Sequence, residues 1–192
     1  MMSLHQRLAD LDVAPRTQGI DTYVLTENAA HRALLARLEF HDVPHRQLWR
    51  LEAQGALEMY SPNLFLVQAG NAFDEWLGDV FDTVPMTVVQ TRLSFDALWR
   101  HLRHFCKFQE SGQRYFLRLG APCALRLYVA SIAHSPTRVG RLFDDGRIQE
   151  LFFHDAGAAL SRRVRPLFEP PTADMEDHDY LVWADVTASD SV

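Results

Sequence analysis

Nine histidines and two cysteines are the residues of this chain best suited to chemistry, and their spacing decides what they can do. His41 and His45 stand four apart, but Pro44 spoils the continuous helix that would bring both rings to one side. His101 and His104 stand three apart and can share a helix face. A zinc site needs three or four ligands at recognisable spacing, and neither pair has a third. Solvated or hydrogen-bonded histidines are therefore expected, with no metal and no cofactor. Cys106 falls on an apolar helix stripe, where a thiol is usually inert, and Cys123 stands near a helix start, which can lower a thiol pKa. Ordinary packing is expected of both. The chain has no G-x-S-x-G elbow, phosphate-binding loop or dinucleotide fingerprint. Asp74, Glu75, Asp79 and Asp82 read as the wet side of an amphipathic helix. No catalytic residue is assigned, and the chain is not expected to be an enzyme.

The elements that would position these groups follow from hydrophobic periodicity. Leu4, Leu8 and Leu11 mark a short, marginal helix. DTYVLT reads as a strand, with Thr26 capping a helix from Glu27 to about Phe40 that turns Leu34, Leu35 and Leu38 inward. QLWRL, ALEMY and NLFLVQ read as short strands. Asn71 caps a helix bearing Phe73, Trp76, Leu77, Val80 and Phe81, and MTVVQT follows as a buried strand. Ser94 caps the best-specified helix, whose stripe is Phe95, Leu98, Trp99, Leu102, Phe105 and Cys106. Leu93 packs on Leu98 as a staple, and Arg100, Arg103, His104 and Lys107 lie outside.

Further on, ESGQ reads as a turn and RYFLRL as a strand, and Pro122 and then Ser135 with Pro136 open two more helices. RIQELFF is a strand, DAGAALSRRVRP a short helix, and FEPPTADMEDHD an exposed acidic arm. YLVW either docks back as a strand or binds a partner. The fold class is α/β (α+β): a mixed β-sheet flanked by amphipathic helices, with an extended acidic C-terminal arm. The divisions expected are an N-terminal helix and linker (1–20), a main domain (21–155) and a C-terminal extension (156–192).

At 192 residues and 47% hydrophobic, the chain can bury a sizeable core as one domain. It has no apolar run of the roughly 20 residues needed to span a bilayer, and MMSLHQRLADLD lacks a signal-peptide core, so a cytoplasmic location without membrane insertion is expected. The net charge of −6 is uneven, because seven acids and no Lys or Arg lie between Glu169 and Val192. A near-neutral body with an acidic end argues against nucleic acid and for a protein partner.

One stretch carries a more specific pattern. Ser94, Leu98, His101, Leu102 and Arg103 precede Gly112, then Phe116, Leu117 and Arg118, then Pro122 and Leu125. With RVGRLFDDGRIQELFF after it, the run from Tyr23 to about Asp155 resembles the type VI secretion effector chaperones, also called adaptors. Where that family usually reads F-Y-D-P-R, this chain has Leu119, Gly120, Ala121, Pro122 and Cys123. The missing acid would cap the next helix, worth roughly 1 kcal/mol. The resemblance implies a non-enzymatic chaperone that binds one secreted effector in the bacterial cytoplasm and helps load it onto the VgrG spike.

Arg103 and Arg118 match the signature; with Arg100 and with Trp183 of the acidic tail they are the partner-contact candidates. Either signature arginine alternatively forms a structural ion pair holding helix to strand. Two other function classes remain open. A small enzyme with a dispersed active site would show a pocket of convergent titratable groups, and an immunity or regulatory protein would bind a toxin's active site.

Overall fold

The chain enters through α1 (Leu4–Asp10), closed at its start by a capping box. Ser3 Oγ accepts from the Gln6 amide (3.2 Å), and Gln6 Oε1 accepts from the Ser3 amide (2.9 Å). The computed structural model describes residues 2–15, 17–49, 57–167 and 179–187. β1 (Asp21–Glu27) leads through a 3-10 turn at Asn28–Ala30 to α2 (Leu34–Phe40), and then to β2 (His45–Gln47), β3 (Pro62–Leu66) and α3 (Ala72–Asp79). Next come β4 (Met86–Thr91), α4 (Phe95–Arg103), the hairpin of β5 (Lys107–Glu110) and β6 (Gln113–Phe116), α5 (Pro122–Ser131) and α6 (Pro136–Leu142). β7 (Ile148–Asp155), β8 (Leu160–Pro166) and β9 (Leu181–Asp185) complete the order.

Seven strands form one sheet in the order β2-β3-β1-β4-β7-β8-β9. Helices cover both faces, so the fold is α+β. Tyr23, Leu25, Leu64, Val89, Leu151 and Phe153 pack toward α4, α5 and α6. Val24, Phe65, Met86, Val88 and Phe152 alternate to the other face, toward α1, α2 and α3. Two-sided burial explains why β4 is buried at every position, its polar Thr87, Gln90 and Thr91 included. Each such Val, Leu or Phe contributes about 1.5–3 kcal/mol.

Several expectations are corrected. Every pairing in the sheet is antiparallel, so it is not mixed. Thr26 does not cap a helix: it lies in β1 opposite Asn63, with its hydroxyl donating to the Pro85 carbonyl. The helix begins only at Leu34. Glu58–Tyr60, read within a strand, is an exposed 3-10 turn closed by the Ser61 amide on the Glu58 carbonyl.

α4 stops at Arg103, and Lys107–Glu110 pairs with β6 across Ser111 and Gly112, both at positive φ, as a two-residue hairpin turn allows. Residues 160–166 are a strand, because β7 offers an open edge and the left-handed Ala159 turns the chain back along it. YLVW docks: residues 181–185 pair with β8. Of the acidic arm expected at 168–179, all but Asp179 lies outside the described residues.

Asp74 is the sharpest departure, being fully buried and not on a wet face. Its carboxylate accepts from the His5 amide (3.1 Å), His5 Nδ1 (2.9 Å) and the Gly70 amide (2.9 Å), tying α1 to α3.

Candidate partner-binding groove

The expected contact residues do not form one site. On α4, Arg103 lies over the Trp99 ring (4.5 Å), which also carries Arg46 (4.7 Å), and Trp99 Nε1 donates to the Gln47 carbonyl (2.9 Å). Arg100 is exposed on the same helix. Arg118 holds Glu27 through two hydrogen bonds of 2.8 Å and lies 4.8 Å from the Tyr60 ring. These bonds raise its pKa further, so it stays cationic. Trp183 stands near the other edge of the sheet on β9, under Arg162 (4.9 Å) and stacked on Phe153 (6.0 Å).

Arg118 is nevertheless the pivot of a groove. On one side it lines an open cavity of about 270 Å³ with Trp49, Leu57, Tyr60 and Phe116. Leu57 is 55% and Phe116 46% exposed, unusual for large apolar side chains grouped together. Trp49, almost buried, packs on Phe116 at 5.2 Å. On its other side Arg118 lines a cavity of about 180 Å³ with Thr26, Gly120, Ala121 and Cys123. Cys123 in turn lines a third, polar cavity of about 640 Å³ with Arg126, Ser161, Arg162 and Asp185. The three share their border residues and run together along one end of the sheet.

Local sequence explains this course. A Cβ at Gly120 would stand 2.8 Å from the carbonyl carbon and oxygen of Thr26, so the chain passes the end of β1 here only as glycine. Ala121 then occupies the N-cap of α5 with extended backbone and no side-chain cap bond. Ala121→Ser is therefore expected to stabilise the protein by about 0.5–1 kcal/mol, read as a rise of about 2 °C in a thermal melt. An unchanged midpoint would mean that solvent already satisfies the first-turn amides.

The titratable groups nearby are not activated. Burial, then Asp155, pushes the Cys123 thiol up, and burial raises Cys106 to about 12. Burial holds His154 below its ordinary value, and its Nε2–H donates to the Phe81 carbonyl (3.1 Å). Of the paired histidines, His45 bonds the Val43 carbonyl (2.8 Å) and His101 the Leu142 carbonyl (2.9 Å). Among the described residues, no group of three or more His, Cys, Asp or Glu is placed to hold a metal ion. None of their helices is long and apolar enough to cross a membrane.

The family described as a domain of unknown function (DUF4123) matches residues 22–139, more than half of the chain. The chain belongs to this family. No curated protein and no solved structure matches it. The DUF4123 match runs from β1 into α6 and contains the apolar cavity and the Gly120 passage. Most of the polar cavity is built beyond it, on β7, β8 and β9. Reasoning from sequence missed Leu57, Tyr60 and Phe116 as surface residues, since alternation says which residues share a face but not what covers it.

Proposed function

We propose that this DUF4123 protein is a non-enzymatic adaptor that binds a type VI secretion effector in the bacterial cytoplasm and helps load it onto the VgrG spike. The observation that carries the reading is the exposed apolar cavity beside Arg118, lying within the family-matched stretch. A cluster of exposed aromatic and aliphatic side chains with cations at its rim is what a protein partner can cover. The resemblance around Ser94–Arg103 and Phe116–Arg118 supplies the partner class. The raised thiols favour binding over nucleophilic catalysis.

Co-expression with the effector encoded beside this chain tests the reading. A complex that survives size-exclusion chromatography, together with a higher yield of soluble effector, is expected. Loss of both effects, with each protein folded, would remove the adaptor reading. Inhibition of the toxin's activity by a segment bound at its active site would replace that reading with an immunity role.

A further inference from the structure

We propose that the three cavities act as one trough for an extended segment of about six residues, taking a large apolar side chain at the Trp49–Phe116 end and a carboxylate at the Arg126 end. The inference rests on the adaptor reading and specifies what part of the partner is held.

Length follows from the sheet. From Tyr60 beside β3 to Leu160 and Ser161 on β8 the trough crosses the ends of β3, β1, β4, β7 and β8, consecutive neighbours in the sheet, and its lining reaches Asp185 on β9 beyond them. The register puts those ends level, with Glu27 opposite Pro62, Met86 opposite His154 and Asp155 opposite Leu160. Four inter-strand steps make about 19 Å, and an extended chain rises about 3.3 Å per residue. The middle of the trough is lined by Ala30, Gly120, Ala121, Ala156 and Ala158, whose small side chains let another main chain lie close.

Charge bears on composition, and direction rests on the apolar lining at the Trp49–Phe116 end. Glu27 is held by Arg118, and Asp185 pairs with Arg162 at 3.3 Å. Asp155 accepts from the Ala158 amide at 3.2 Å. Lys107, 5.3 Å from the Phe116 ring, and Arg126 have no ion pair with a described carboxylate. One uncompensated cation thus stands at each end, which favours an acidic segment. Leu167 and Tyr180 lie at the opposite ends of β8 and β9, where the Leu167 amide donates to the Tyr180 carbonyl.

The test is a displayed library of random octapeptides selected on the immobilised full chain. Enriched sequences are expected to carry a large apolar residue and an Asp or Glu four to six positions apart. Their binding is expected to weaken about tenfold or more in Phe116→Asp and in Arg126→Glu, both checked for an unchanged melting midpoint. Bound peptide is also expected to protect Cys123 from N-ethylmaleimide, with buried Cys106 as the unreactive internal control. Enrichment without that pattern, or binding undiminished in both variants, overturns the trough. So does a dimer that Phe116→Asp dissociates, or peptide binding that appears only when residues 188–192 are removed. The two readings separate in co-expression. An effector complex that survives both substitutions leaves the adaptor standing and removes the trough, whereas failure of the wild type to hold the effector removes the adaptor while the peptides still decide the trough.

Discussion

Asp74→Ala is expected to cost about 3 kcal/mol of stability, lowering the unfolding midpoint by roughly 10 °C. The carboxylate is fully buried and accepts from two backbone amides and the His5 ring, so its removal orphans three donors between α1 and α3. Asp74→Asn keeps one acceptor oxygen but turns an NH₂ toward a remaining donor, and about half the loss is expected. The pH dependence has a definite sign. Burial alone would raise the Asp74 pKa, but the hydrogen bonds from the His5 ring and from the Gly70 and His5 amides together hold it below 3.8. Its stabilisation is then complete above that pH and is lost as pH falls through the lower, folded-state value. The gap between wild type and Asp74→Ala, measured by circular dichroism melts, should narrow below pH 3.8. A constant gap down to pH 2, or a midpoint unmoved at pH 7, would contradict the buried ionised carboxylate.

What was legible in the sequence was local. Asn71, Ser94 and Ser135 cap the helices expected of them, each accepting from the amide three residues on. Such caps need no knowledge of the rest of the chain. MTVVQT and RIQELFF, buried on both faces, announce themselves as strands. What failed was contextual. A strand's alternation does not encode its direction, so strands interleaved with helices read as a mixed sheet while all pair antiparallel. Residues 160–166, rich in arginine, owe their strand to pairing with the preceding β7 across the turn at 156–159, which the pattern of their own side chains does not show.

The site was less legible than the fold for the same reason. Arg118 was found through a motif, but its partner Glu27 lies 91 positions away and turns the arginine into a structural pair that still borders the groove. Trp183 looked uncovered in a weakly patterned end, yet Arg162 and Phe153 lie against its ring. The trough itself is made by the ends of strands from β3 across to β9 and has no contiguous signature. Its lining is divided between the DUF4123 match and β7–β9: the apolar end and Arg126 itself lie in the matched part, and the walls around Arg126 come mostly from beyond it.

Gly78→Ala puts two forces in opposition, and the sign of the result is diagnostic. In an exposed helix interior this change stabilises by about 1 kcal/mol, because alanine is the better helix former. Here a Cβ would stand 2.1 Å from the Met2 carbonyl oxygen, 2.5 Å from the Ser3 carbonyl carbon and 2.7 Å from the Leu4 amide nitrogen. All three are main-chain atoms, so no rotamer change relieves the clash and α1 must move as a body. Gly78 lies four residues after Asp74, on the same face of α3: one position admits the α1 backbone and the other binds it. Displacing α1 also withdraws Leu4 and Leu8, both fully buried, from their core. A net loss of about 3 kcal/mol is expected, with accelerated amide exchange confined to α1 and the turns of α3 it touches. Since both substitutions act by freeing the same helix, the double variant Asp74→Ala with Gly78→Ala should lose clearly less than the sum of the single losses. A Gly78→Ala protein as stable as wild type, or strict additivity with Asp74→Ala, would show that α1 is not seated on α3 in solution.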